Sequence, residues 1–212
     1  MNKDRLSLYL VTDRLLCNGT PLEKIITEAV RGGVTMVQLR EKNLDTRHFI
    51  EEAVLLKKAL EPFGVPLVIN DRVDVALASD ADGVHIGQSD MPYDIARRLL
   101  GPGKIIGLSV ENMQQVDAAN KLNVDYIGIS PVFATSTKTD TAAPWGIDGM
   151  KEAIRRSVHP TVAIGGMNAA TAGQVIGNGC DGIAVVSAIM AAHSPRTAAE
   201  ELSFIISNAR IQ

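Results

Sequence analysis

The greatest chemical capacity in this chain lies in one short stretch, Gln38-Leu39-Arg40-Glu41-Lys42, where an apolar run beginning at Met36 turns polar and charged. Strand side chains alternate between faces, so Val37 and Leu39 share one face and Gln38 and Arg40 the other. On a half-exposed sheet Gln38 and Arg40 would simply face water. On a buried parallel strand the same residues form a place to hold an anion.

Two carboxylates, Asp71 and Asp90, follow the apolar stretches 67–70 and 83–86. A hard cation such as Mg2+ takes carboxylate oxygens together with substrate phosphates, often with only one or two protein ligands. Each aspartate is also placed to cap the helix that follows it, at Arg72 or Met91. Taken singly, the two readings are balanced. Taken together, beside Lys42, they favour a metal–diphosphate site.

A second anion position is expected where Gly165-Gly166 follows one strand and a helix capped by Ser187 follows the next. Backbone N–H groups and a helix N-terminus meet phosphate in that arrangement. The run Thr135-Ser136-Thr137-Lys138 adds hydroxyl donors and one cation, although alone it reads as a solvated loop. His85 points inward by parity and is read as a structural histidine with a partner. Trp145 is read as loop packing. There is no Ser–His–Asp arrangement, Walker loop or GxGxxG, and nothing resembles a nucleophilic site.

These residues need elements to position them. Strand patterns fall at 8–11, 36–40, 67–70, 83–86, 105–109, 126–130, 161–164 and 183–186. Helical patterns fall between them, at about 21–31, 46–60, 72–79, 91–100, 112–122, 147–157 and 168–178. The last helix begins at 187–191 and is continued or replaced by 195–209. Eight strand–helix units predict a (β/α)8 TIM barrel, an α/β fold in one catalytic domain over 1–212. An open doubly wound sheet is the less favoured arrangement. In strands 4 to 6 the large aliphatics should cover the helix layer, with His85, Gly107, Ser109, Gly128 and Ser130 pointing inward. Asp82, Asp125 and Asp181 each precede a strand and read as stabilising turns at the barrel bottom. The one long loop, 131–145, is conspicuous in so lean a chain.

Composition narrows the function classes. Hydrophobic residues make up 46% of 212 and aromatics only 4%, so the core is aliphatic. A net charge of −3 gives no reason to expect nucleic acid or an anionic membrane as partner, so small-molecule ligands are expected. Cys17 and Cys180 lie far apart without metal spacing, as in a reduced cytoplasmic protein. No apolar run reaches the roughly 18 residues of a membrane span, and the N-terminus carries no signal pattern.

Gln38-Leu39-Arg40-Glu41-Lys42, Asn70-Asp71, His85-Ile86-Gly87-Gln88-Ser89-Asp90, Gly107-Leu108-Ser109, the stretch 128–138 and Ile164-Gly165-Gly166 together resemble the thiamine-phosphate synthase family. The likeness runs in order from about Leu8 to Ala191. It implies a transferase that joins hydroxymethylpyrimidine diphosphate to a thiazole phosphate, releasing thiamine phosphate and diphosphate. By position it implies that Gln38, Leu39, Arg40, Glu41, Lys42, Asn70, Ser109 and Lys138 hold the pyrimidine diphosphate. Among these, Arg40, Lys42, Ser109 and Lys138 are the catalytic candidates. Asp71 and Asp90 would bind Mg2+. Thr135, Ser136, Thr137, Gly166, Val186 and Ser187 would hold the thiazole phosphate. Three rivals compete: a thiazole tautomerase on the same barrel, a phosphate-sensing regulatory domain, and a sugar-phosphate epimerase. The first has no use for a metal–diphosphate end, the second predicts binding without diphosphate release, and the third wants an acid–base pair that the sequence does not offer.

Overall fold

The computed structural model describes residues 2–135 and 143–211. Its strands are β1 (Leu8–Val11), β2 (Met36–Leu39), β3 (Leu67–Asn70), β4 (Gly83–Ile86), β5 (Ile105–Val110), β6 (Tyr126–Ile129), β7 (Thr161–Ile164) and β8 (Gly182–Val185). They close in sequence order into a barrel, with β1 paired parallel to β8. The TIM barrel expectation is borne out, and the open sheet is not formed.

The helices are α1 (Leu22–Arg31), α2 (Thr46–Leu60), α3 (Val73–Ala78), α4 (Tyr93–Leu100), α5 (Met113–Ala119), α6 (Gly146–Arg156), α7 (Ala169–Gly177), α8 (Ser187–Met190) and α9 (Pro195–Ile211). Helix α1 shows why they lie on the sheet: Leu22, Ile25, Ile26, Ala29 and Val30 form one buried stripe. Helix α7 starts at Asn168, whose side chain accepts from the Ala170 N–H in a capping box with Thr171. The chain end is two helices, α8 being a single turn, and α9 packs against α1 and α7. Short 3₁₀ turns at Lys3–Leu6, Arg14–Leu16 and Glu61–Phe63 escaped the sequence reading, because three or four residues carry no periodicity.

The core has two layers, as strand parity predicted. Leu10, Val37, Leu39, Ile69, Val84, Ile86, Ile127 and Ile129 belong to the outer cluster beneath the helices. Tyr9, Met36, Val68, Tyr126, Val162 and Ala184 belong to a smaller cluster that fills the barrel.

The turn aspartates form a repeated clamp at the barrel bottom. The Asp82 N–H donates to the Leu67 carbonyl, and its Oδ2 accepts from the Leu67 N–H at 2.8 Å. Asp125 does the same to Ile106, and Asp181 to Thr161. A fourth copy uses Thr35, whose N–H donates to Leu8 O and whose Oγ1 accepts from Leu8 N. Each clamp thus satisfies an N–H that lies below the strand ladder. A cation sits beside each aspartate: Lys57 at Asp82, Arg97 at Asp125 and Lys3 at Asp181.

Candidate active site

The C-terminal strand ends surround a cavity of about 790 Å³. One end is lined by Gln38, Arg40, Lys42, Asn70 and Ser109, with Asp71 and Asp90 beside them. The other end is lined by Thr135, Gly166, Val186 and Ser187. Ser136, Thr137 and Lys138 lie outside the described residues.

At the end of β2 the chain divides its side chains. Leu39 is fully buried in the outer layer and does not face the cavity. Glu41 also turns away: its carboxylate, only 4% exposed, accepts from Arg14 Nε at 3.0 Å. Burial pushes the Glu41 carboxyl above its usual range, and Arg14 works against that shift. Arg14 reaches Glu52 as well, which ties the β2 turn to α2. Any contact of Leu39 or Glu41 with a ligand would therefore run through the main chain. Thr12 fixes the same turn from β1, since its Oγ1 accepts from the Arg40 N–H at 2.9 Å. These supports aim Arg40 and Lys42 into the mouth.

Asp71 adopts a left-handed backbone with φ of 62°. That conformation is costly for a residue with a Cβ and persists only where the surroundings enforce it. Here the Asp71 N–H donates to His85 O at 2.8 Å and the Arg72 N–H to Asn70 O at 2.7 Å. The strained turn directs the Asp71 carboxylate to Lys42, whose Nζ donates to Oδ2 at 2.9 Å. Asp90 Oδ2 accepts from the Gly87 N–H at 2.7 Å. Its carboxyl is raised above the usual range first by burial and then by the neighbouring Asp71 carboxyl, against the pull of the Gly87 N–H and Lys42. Neither aspartate caps a helix: the cap positions of α3 and α4 are Arg72 and Pro92. The capping alternative is thereby removed for both.

The pair can hold a hard divalent cation. Two carboxylates pressed together in a partly buried mouth repel one another, and a cation between them relieves that repulsion. Among the described residues no group of three or more His, Cys, Asp or Glu forms a protein-only cage. Two carboxylates are donors of the kind a hard oxygen-binding cation takes beside phosphate and water.

At the far end, Gly165 and Gly166 have φ of 93° and 69°. A Cβ on Gly165 would lie 2.7 Å from the Pro131 Cβ, and one on Gly166 2.8 Å from the Phe133 Cβ. The glycines therefore serve the tight turn and also the close approach of the loop after β6. Ser187 is the first residue of α8, and the cap position belongs to Val186, so the expected serine cap is corrected. With one turn, α8 has little dipole to offer, so this end presents main-chain N–H and hydroxyl donors to the cavity.

The model of the family described as thiamine monophosphate synthase matches residues 8–189. The chain belongs to the thiamine monophosphate synthase family. It is 54% identical over 201 residues to the thiamine-phosphate synthase of Albidiferax ferrireducens, covering 95% of this chain and 92% of that one. It is 55% identical over 195 residues to that of Vibrio campbellii, covering 92% and 95%. The solved thiamine phosphate pyrophosphorylase of Pyrococcus furiosus superposes with a TM-score of 0.90 at 39% identity, covering 98% of each chain. The expected family and its activity, that of a thiamine-phosphate synthase and hence a transferase, are borne out.

Sequence reasoning missed the polar interior beneath the mouth. Gln38 Nε2 donates to Tyr9 Oη at 2.8 Å, and Tyr9 Oη lies 2.9 Å from Tyr126 Oη. Tyr126 Oη lies 2.9 Å from His85 Nδ1, and His85 Nε2 lies 2.8 Å from Ser109 Oγ. Parity held the signal: Tyr9 and Tyr126 occupy the inward phase of their strands, as His85 does. Arg14 and Thr12 were missed too, because each acts on the β2 turn from a distant part of the sequence.

Proposed function

We propose that the cavity binds hydroxymethylpyrimidine diphosphate at its cationic end and a thiazole phosphate at its glycine–hydroxyl end. The observation that carries this reading is the meeting of Lys42, Asp71 and Asp90 at one mouth, opposite Gly166 and Ser187. A tautomerase would have no use for that first group. Arg40, Lys42 and Lys138 neutralise the diphosphate, Gln38, Asn70 and Ser109 hold the pyrimidine side, and Leu39 and Glu41 offer main-chain groups. Thr135, Ser136, Thr137, Gly166, Val186 and Ser187 bind the thiazole phosphate.

In the reaction the bond from the pyrimidine methylene carbon to the diphosphate oxygen breaks, and its electron pair leaves with diphosphate. The lone pair of the thiazole nitrogen forms the new C–N bond. A carboxylated thiazole would also lose CO2. The electron-rich aminopyrimidine supports positive charge on the methylene, so no side chain has to attack. The chain's contribution is to neutralise the leaving group, orient the two rings and exclude water. Mg2+ held by Asp71 and Asp90 supplies further charge neutralisation at the diphosphate when bound.

We read residues 1–212 as one catalytic domain acting in the cytoplasm on small molecules. Its two cysteines are free thiols, and among the described residues no helix is long and apolar enough to cross a membrane.

Diphosphate release tests this function. Turnover should need the pyrimidine diphosphate, the thiazole phosphate and Mg2+ together. Equal release without Mg2+, or tight phosphate binding with no release, would refute it.

A further inference from the structure

The interior hydrogen bonds form one chain across the barrel, and one proton order lets every member of it pair. Gln38 Nε2 can only donate, so Tyr9 Oη accepts from it, and in this order Tyr9 gives its single proton to Tyr126. In the same order Tyr126 gives its proton to an unprotonated His85 Nδ1. A neutral imidazole with bare Nδ1 carries its proton on Nε2 and donates to Ser109 Oγ. Ser109 keeps its own proton for the cavity, while Gln38 keeps its amide oxygen. One end of the chain thus accepts and the other donates.

The arrangement is built by its neighbours. Gly107 leaves the space: a Cβ there would lie 2.1 Å from Tyr126 Cζ and 2.6 Å from His85 Nδ1. The His85 and Tyr126 rings stack at 5.5 Å between centroids, and Tyr9 meets Tyr126 edge-on at 5.9 Å. Burial pushes both phenols above their usual range, so each keeps the proton it passes on. Gln38, His85 and Ser109 line the cavity, whereas the two tyrosines are fully buried and do not.

We propose that this ordered chain sets the hydrogen-bonding polarity of the cavity, and that Tyr126 is a positioning residue that makes it select an aminopyrimidine over the oxo counterpart. An aminopyrimidine edge presents an N–H donor beside a ring-nitrogen acceptor, and the oxo ring reverses both. An amide oxygen at Gln38 and a hydroxyl proton at Ser109 complement the first pattern. The selectivity rests on the pyrimidine-diphosphate reading above; the proton order does not.

The test compares wild type with Tyr126→Phe, using the 4-amino and 4-oxo forms of the hydroxymethylpyrimidine monophosphate as competitive inhibitors. Losing the Tyr126 hydroxyl frees Gln38 to turn its amide, so the amino-to-oxo preference should fall on the order of tenfold or more. An unchanged preference, with both inhibitors weakened equally, would mean a merely structural role and overturn the proposal. A second measurement needs no folded variant at Tyr126. Nitrogen-15 spectra of wild type, with the signal assigned by its loss in His85→Gln, should show the Nε2–H tautomer at neutral pH. An Nδ1–H tautomer or an imidazolium would overturn the chain. Wild type that releases no diphosphate would defeat the reaction reading alone, and the tautomer would still decide the chain.

Discussion

Lys42 and Asp71 are 29 residues apart in sequence, and their side chains meet at 2.9 Å across the ends of β2 and β3. The contact sets the ammonium beside the carboxylate pair that fits a cation. Lys42 therefore offsets part of the negative charge that the two carboxylates place at the cavity mouth.

Asp71→Asn removes a charged oxygen from the pair while keeping its size. We expect kcat to fall about 10²-fold, with a higher Mg2+ concentration at half-saturation. Lys42→Ala should lower kcat as well and raise KM for the pyrimidine diphosphate, with the Mg2+ concentration at half-saturation nearly unchanged. Initial rates across a Mg2+ series separate the two effects.

Arg14→Ala leaves the buried Glu41 carboxylate without its partner and close to Glu52. Because Arg14 is half-exposed, the cost should be about 1–2 kcal/mol, below that of a fully buried pair. The loosened turn should raise KM for the pyrimidine diphosphate several-fold with kcat nearly unchanged. Adding Glu41→Gln should restore part of the stability, which urea unfolding would read directly.

Asp125→Ala opens one clamp at the barrel bottom. It deprives the Ile106 N–H of its acceptor and Arg97 of its carboxylate. A loss of about 2–3 kcal/mol follows from a charge-assisted bond in a part-buried place. Below the melting transition kcat/KM should not change. A rate loss equal to that of Asp71→Asn would contradict the separation of the two barrel ends.

Cys180 makes stability depend on pH in the alkaline range. Burial pushes its thiol from 9.0 up to about 11. Between those values the unfolded chain loses this proton and the native protein keeps it. Native protein then binds more protons, so the unfolding free energy falls as pH rises through the window and is unaffected below it. At about 1.4 kcal/mol per pKa unit, Cys180 contributes about 2–3 kcal/mol to the fall. Urea midpoints from pH 8 to 11 should decline less steeply in Cys180→Ala.

Where the sequence was legible, the reason was periodicity or parity. The β3 and β4 bounds followed from short apolar runs, and the outward set Val84, Ile86, Ile127 and Ile129 from alternation. Asp71 and Asp90 remained ambiguous, because a cap and a ligand need the same side chain at the same position. The cap falls away only in three dimensions, where Arg72 and Pro92 hold the cap positions. Leu39 and Glu41 show another limit: a run of five adjacent residues reads as one motif, yet strand parity and the distant Arg14 send two of its side chains elsewhere. Thr35 shows a third, since a hydroxyl repeats the work of three aspartates with a different residue type.

The bottom clamps divide the barrel's joints into two kinds. Between β1 and β2, β3 and β4, β5 and β6, and β7 and β8, a side chain helps close the joint. At the alternate joints the N–H groups of Val37, Ile105, Ile127 and Ile183 meet main-chain carbonyls of Pro66, Asp82, Pro160 and Ser7. The barrel is thus four two-stranded staves. Sequence drift can weaken a stave from within, but the seams between staves close on carbonyls that every residue type supplies.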